Sequence, residues 1–403
     1  MPDRRRKKRS IVYITTITLP QKGMASANRM LSISRGLVER GHEVQILTLR
    51  SDDGKKEVFE VDGVRCHSLT NGNENDSCIR KIFCLLQFIF KTTGFLFVNK
   101  KRIDCVIVYA YFIPLLFSVY ASTRLARIPS IREECEYPSC LTGSARNKTG
   151  FMQQLRGFIE LRVEPRLYDG MIVMTRTLIT FLMPRVRRNC VLAHVPMTVD
   201  MNRFSYSVTE SMFEFDYIAY CGDMSNNKDG VEDLINAFSL ISEEYSELRL
   251  VLVGKAVESD MKRLKKIAKQ SPSGDKILFT GMIARHEIPG LLKNAKILAV
   301  TRPENLQAAG GFPTKLGEYL STAQPVVVTK VGEIPDYLEN HENAYLAEPD
   351  NPASVASCFR EVLDNYDQAL LVGRRGQEVA QRAFNYHVQA GLVEDLICRV
   401  CNE

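Results

Sequence analysis

Short apolar runs alternate with amphipathic stretches along this chain, and the alternation is completed twice. No other feature narrows the possible folds as much. A short apolar run bounded by turn residues reads as a strand, and apolar residues three and four positions apart read as one helix face. When the two kinds of segment take turns, the strands pair in parallel and helices cover both faces of the sheet. In the first half, strands are expected at 11–18, 44–49, 105–108, 128–132 and 171–174. Between the first two lies SANRMLSISRGLVERG, with Met30, Ile33 and Leu37 at helical spacing and Gly41 as its stop. In the second half, strands are expected at 217–221, 248–253, 277–280, 297–300 and 325–329. Helical stretches separate them, such as GVEDLINAFSLISEEY with apolar Leu234, Ile235, Phe238 and Leu240.

The expected architecture is α/β: two Rossmann-like, doubly wound domains facing across a cleft. A length of 403 residues suits that division. The boundaries read as a basic tail at 1–10, a first domain at 11–205, a second at 216–384, and a C-terminal helix at 385–403 that crosses back to the first. The linker is expected at 203–215, which is polar and without period.

Charge excludes one class of partner. The net charge is +6, but MPDRRRKKRS at 1–10 carries +5 of it, leaving about +1 for the rest. A body so near neutral has no footprint for nucleic acid. The tail either is solvated or touches an anionic membrane surface. The 11 cysteines are odd in number and scattered, which fits a reducing, cytoplasmic setting. Basic residues before IVYITTITLP imitate a leader, but Thr15, Thr16 and Thr18 suit a buried strand equally well. The most apolar stretch is 82–98, interrupted by Gln87, Lys91 and Thr92-Thr93-Gly94. Arg80, Lys81, Lys100, Lys101 and Arg102 flank it, so it reads either as a helix on a membrane surface or as one packed on the sheet.

Ligands of open parallel sheets bind at the carboxyl ends of strands, beside helix N-termini. Three loops at such places stand out. GMASANR at 23–29 offers Gly23 for close backbone approach, or is a simple turn. YCGDMSNNKDGVEDL at 220–234 puts Lys228 in a loop between a strand and a helix, where it can meet a phosphate. Its Ser225, Asn226 and Asn227 are also ordinary turn residues. GGFPTKLGEYLSTAQPVVV, from 310, sets Gly310 and Gly311 before a short helix. There Thr314 can cap the helix or donate to phosphate, and Lys315 and Glu318 share one face. The plain alternative for that pair is an exposed ion pair worth about 0.3 kcal/mol, so that replacing either residue would barely change stability. The chain has no G-x-G-x-x-G fingerprint, which argues against a dehydrogenase.

These blocks, in this order, resemble the GT-B glycosyltransferases, and in particular the retaining family 4 (glycosyl transferases group 1). The resemblance runs from GMASANRMLSISRGLVERGHEVQILT through VPMTVDMNRF, CGDMSNNKDGVEDLINAF, LRLVLVGKA and ILFTGMIARHEIPGLLKNAKILAV to FPTKLGEYLSTAQPVVVT. It implies a retaining transfer of a sugar from a nucleotide-diphosphate donor to a glycan or lipid-linked acceptor. Lys228 and Lys315 would hold the donor diphosphate, with Glu318 on the ribose. Gly23, Gly222 and Asn227 would border the diphosphate, and Met282 and Ile283 the base. The turn Gly310, Gly311 and Phe312, with Thr314 and Leu316 behind it, would border the donor sugar. No D-x-D motif is present, so no metal or other cofactor is expected. Arg132, Glu133 and Glu134 of REECEYP would receive the acceptor. The chain departs from the family pattern at Gly310, where the first glutamate of E-x7-E is usual, at Asp223 in place of an arginine, and at Tyr109 and Tyr111, near the usual histidine. Those departures leave open a non-catalytic nucleotide-sugar-binding protein and a nucleotide-sugar epimerase on the same fold.

Overall fold

The structure is a computed structural model that describes residues 7–19, 25–52, 57–73, 76–142, 150–205, 211–225 and 228–402. It forms two compact units, Met1–Pro196 with Tyr386–Glu403, and Met197–Asn385. The first is built on strands β1 (Ser10–Thr15), β2 (Glu43–Thr48), β3 (Val58–Val61), β4 (Val64–Ser68), β5 (Cys105–Tyr109), β6 (Ser130–Glu134), β7 (Gly170–Val173) and β8 (Val191–His194). They pair in the order β3-β4-β2-β1-β5-β6-β7-β8, in parallel except for the β3–β4 hairpin. Central strands such as β5, buried at every position, need helices on both sides. On one face Val12, Ile14, Leu47, Val106 and Val108 meet helices α2 (Cys78–Asn99) and α3 (Ile113–Ala126).

The hairpin, β8 and the strand at 345–347 are additions to the strands read from sequence. The hairpin turns on Asp62 and Gly63, both at positive φ, an Asp-Gly signal for a tight turn between antiparallel strands. Helix α2 packs on the sheet by one face. Cys84, Phe88, Thr92 and Leu96 are buried, and the opposite face is exposed.

The second unit holds β9 (Tyr217–Cys221), β10 (Arg249–Val253), β11 (Ile277–Gly281), β12 (Ile297–Val300), β13 (Val326–Thr329) and β14 (Tyr345–Ala347). All pair in parallel, in the order β11-β10-β9-β12-β13-β14. Strand order reverses between β9 and β12, which opens a crevice beyond their carboxyl ends. Helices α4 (Val231–Ser239) and α5 (Thr314–Ser321) begin at that end.

The boundary between units lies at Pro196 and Met197, ahead of the 203–215 segment read as the linker. Packing explains the difference. The Val199 N–H donates to the Phe384 carbonyl at 2.9 Å, and a Cβ on Gly317 would lie 2.7 Å from the Met197 Cε. The chain has joined the second unit before its polar stretch begins.

The C-terminal helix Tyr386–Val400 belongs to the first unit and packs on α1 (Ala25–Glu39). A Cβ on Gly36 would fall 2.5 Å from the Ala390 Cβ, so the two helices touch at their backbones. Glu394, nearly buried, receives Arg40 at 2.7 Å and His42 at 2.9 Å. Glu394→Ala removes the acceptor of both and should cost about 1.5–3 kcal/mol. The chain has no Trp, so urea unfolding followed by circular dichroism is the suitable measurement.

Candidate functional site

The crevice of the second unit gathers most of the residues singled out in its sequence. After β9 the chain passes Gly222 and Lys228 to Asp229, and Gly230 adopts a left-handed φ of 64° as the N-cap of α4. A Cβ on Gly230 would sit 1.7 Å from the Thr301 carbonyl oxygen. Only glycine fits there, with the Thr301 hydroxyl donating to the Gly230 carbonyl at 2.7 Å. The loop after β9 is thereby fastened to the end of β12.

Lys315, in the first turn of α5, reaches the same point. Its Nζ lies 3.0 Å from the Tyr220 hydroxyl and pairs closely with the Asp229 carboxylate. A Cβ on Gly222 would fall 2.4 Å from Lys315 Cε, so this glycine makes room for the lysine. Arg302, after β12, stands 3.6 Å from the other Asp229 oxygen and donates to the Gly311 carbonyl at 3.2 Å. Burial would raise the Asp229 carboxyl, but Lys315 and Arg302 hold it below its ordinary value.

Glu318 is paired elsewhere. Arg203 meets its carboxylate at 2.5 Å and reaches toward the Arg285 carbonyl at 3.5 Å. That links Glu318 to the loop after β11, which carries exposed Met282 and half-buried Ile283. The plain alternative, an exposed ion pair between Lys315 and Glu318, does not form: each has a separate partner, and the Lys315 side chain is only 13% exposed.

Other expectations are adjusted by burial. Phe312 packs edge-on against Tyr337, with ring centroids 5.6 Å apart, and Leu316 is fully buried. Both side chains belong to the core, so only their backbone can face a ligand. Gly310 and Gly311 lie buried before α5. Thr314 is the first residue of α5 and Pro313 its N-cap, so Thr314 is no cap. Gly23 and Asn227 lie outside the described residues. Among the described residues, no group of three or more His, Cys, Asp and Glu side chains is placed to hold a metal.

In the first unit, Arg132, Glu133 and Glu134 lie within β6. Arg132 is buried and pairs with Glu134 at 2.6 Å and Glu164 at 2.9 Å. Glu133, also buried, accepts from Arg29 Nε at 2.6 Å and from the Tyr13 hydroxyl. These two are internal side chains with protein partners, and burial raises the Glu133 carboxyl to about 8. Glu134 keeps some exposure, and burial raises its carboxyl to about 8 against the pull of Arg132. A cavity of about 460 Å³ instead opens beyond the carboxyl ends of β2 and β4. Leu49, Arg50, Thr70, Asp76, Lys81 and Cys84 are among its lining residues.

Tyr220, Asp229, Arg302 and Arg203 complete the site and were not singled out for it from sequence. Asp229 follows Lys228 directly, and Arg203 stands in MNRF; neither position reveals its distant partner.

Residues 216–365 match the family model described as Glycosyl transferases group 1. A GDP-mannose-dependent alpha-(1-6)-phosphatidylinositol monomannoside mannosyltransferase of Mycobacterium tuberculosis is 24% identical over 172 residues. The match covers 42% of this chain and 44% of that protein, so the chain spans less than half the length of the curated relatives it matches. Among solved structures, sucrose-phosphate synthase from Thermosynechococcus elongatus superposes with a TM-score of 0.76 at 16% identity, covering 96% of this chain and 98% of the other. Anabaena HepE in complex with UDP-glucose gives 0.72 at 15% identity, covering 96% and 99%. The fold is that of the GT-B glycosyltransferases.

Lys315→Ala leaves Asp229 buried without its closest cation and should cost about 3 kcal/mol. Glu318→Gln, on a partly exposed pair, should cost less than about 1 kcal/mol. Because the Asp229 carboxyl is held low, its contribution is present above the ordinary aspartate value near 3.9 and lost as pH falls through the folded value. Asp229→Asn should therefore lower stability at neutral pH and flatten the acid limb. Urea midpoints measured from pH 7 down to pH 3 test both statements.

Proposed function

We propose that the protein transfers a sugar, a hexose in the first instance, from a nucleotide-diphosphate donor to a glycan or lipid-linked acceptor with retention at the anomeric carbon. The observation that carries this reading is the juxtaposition of Lys315, Gly222 and Gly311 at the crevice beyond β9 and β12, with Glu318 on the same helix as the lysine. It falls within the segment that matches the glycosyl transferases group 1 model. The named substrates of relatives point to UDP- and GDP-sugars as donors to try first.

In this reading Lys228 and Lys315 meet the diphosphate, and the N-terminus of α5 adds its dipole. Negative charge grows on the leaving diphosphate as the sugar–oxygen bond breaks, so fixed cations there lower the barrier more than they strengthen ground-state binding. Asp229 and Tyr220 hold Lys315 in place. Glu318 accepts the ribose hydroxyls, and Arg203 sets its position. Backbone groups near Met282 and Ile283 border the base, and those of Gly310, Gly311 and Phe312 the sugar. Gly23 and Asn227 take diphosphate contacts by the family resemblance. The transfer uses no metal. The acceptor enters at the cavity beyond β2 and β4, whose mixed cations, carboxylate and hydroxyl suit a polyhydroxylated group. The protein works in the cytoplasm, where a lipid-linked acceptor would bring it to the inner membrane face.

A second reading rests on Gly310, which supplies no carboxylate to the donor sugar where the family has one. A non-catalytic binder would take up nucleotide sugar and release no nucleotide diphosphate with any acceptor, whereas the proposed enzyme releases it.

Calorimetric titration with nucleoside, monophosphate and diphosphate tests the donor site. Glu318→Gln should weaken UDP or GDP binding about ten- to hundredfold, as expected for losing charge-assisted hydrogen bonds of about 1.5–3 kcal/mol. Lys228→Ala should weaken the diphosphate far more than the nucleoside. Unchanged diphosphate binding by both variants would remove the donor site from this crevice.

A further inference from the structure

We propose that the first unit docks on anionic lipid surfaces through the outward face of α2, lying in the plane of the interface. The helix has two distinct faces. Cys84, Phe88, Thr92 and Leu96 recur every fourth residue and are buried, and the Thr93 and Ser118 hydroxyls join α2 to α3 at 2.9 Å. The other face carries Ile79, Ile82, Phe83, Leu86, Phe90 and Phe97, a continuous helical stripe that is between 37% and 82% exposed. A helix of a water-soluble protein ordinarily turns charged and polar residues outward, and a continuous apolar stripe marks an interaction surface.

By length and composition alone α2 could cross a bilayer. Its inner face argues for lying flat. Phe88 and Leu96 are part of the core beneath the sheet, and a crossing helix would have to withdraw them. An interfacial helix keeps that packing and gives only its outer stripe to lipid.

Charge selects the occupant. The helix Cys78–Asn99 contains no Asp or Glu. Exposed Arg80 and Lys81 stand at its start, and Lys100, Lys101 and Arg102 follow its end. Apolar side chains bordered by cations fit lipid tails bordered by anionic headgroups, whereas a second copy of this face would set cation against cation. Lys81 and Cys84 also line the cavity beyond β2 and β4. The helix that meets lipid thus forms one wall of the cavity assigned to the acceptor. The inference extends the reading of a lipid-linked acceptor but rests on this surface alone, and its test uses no nucleotide.

The test is co-sedimentation of the full chain with vesicles of phosphatidylglycerol and phosphatidylcholine in equal parts, against phosphatidylcholine alone. The comparison variants are Phe83→Ser with Phe90→Ser, and Lys100→Gln with Lys101→Gln and Arg102→Gln. All five side chains are exposed, so folding should be preserved, as circular dichroism can verify. Binding should be at least tenfold stronger to the anionic vesicles and should fade as salt rises from 50 to 500 mM. The triple cation variant should lower it at least tenfold, given about fivefold per cation near such a surface, and the Phe83 and Phe90 variant at least tenfold through lost burial of two aromatic side chains in lipid. Absence of binding, equal binding to neutral vesicles, or full binding by the Phe83 and Phe90 variant would overturn the proposal. So would light scattering that reveals a dimer which this variant dissociates, because the face would then belong to a second copy. Donor binding measured on the same variants should be unchanged, which separates failure here from failure of the donor site.

Discussion

Asp229 is a carboxylate removed from water, and a charge in that position must be answered. Lys315, Arg302 and the Tyr220 hydroxyl answer it, each from a different element: α5, the end of β12 and the strand β9. The carboxylate thereby ties together the segments that border the crevice. It also sets the local charge balance. Lys315 belongs to a cluster that already contains an anion, and Arg302 leaves that cluster with one more cation than anion. In the proposed reading, a ligand with two phosphates would compete with Asp229 for Lys315.

The first unit uses the same device. Glu133 lies fully buried between Arg29 of α1 and Tyr13 of β1, and Arg29 also donates to the carbonyls of Val195 and Pro196. One guanidinium therefore fixes where β6, α1 and the exit from β8 meet. A buried pair of this kind adds little net stability against an apolar substitute, but removing one member leaves the other stranded. Its value lies in specifying one arrangement, which in this unit means how the end of β6 sits against α1 and the exit from β8.

Much of this architecture was legible in the sequence, and the reason is the period of the apolar residues. The central strands are apolar on both faces, so Tyr217–Cys221 and Ile297–Val300 stand out at their observed limits. Edge strands carry less signal. Val191–His194 is only half-buried and Tyr345–Ala347 is short. The hairpin did have a signal in its Asp-Gly turn, but it interrupts the alternation that organised the reading. At the candidate site the sequence pointed to Lys315 and Glu318 by spacing along one helix. Their true partners, Asp229 and Arg203, are 86 and 115 residues away. Local periodicity cannot register such pairs, because it describes one element at a time. Arg132 and Glu133 misled for the same reason. As letters they are charged residues at a strand end, and only the fold reveals that both are buried.

The helix Tyr386–Val400 completes the first unit, yet the whole second unit lies between it and the rest of that unit in the chain. During synthesis, domains generally fold as units and the N-terminal one first. Here that order is inverted. The α1 surface around Gly36 stays uncovered until residues 386–400 have been made, after the whole second unit. The second unit is complete by then. The waiting surface is mixed, with Gly36 at its centre and Glu39, Arg40 and His42 beside it, so it stays partly hydrated until its partner arrives.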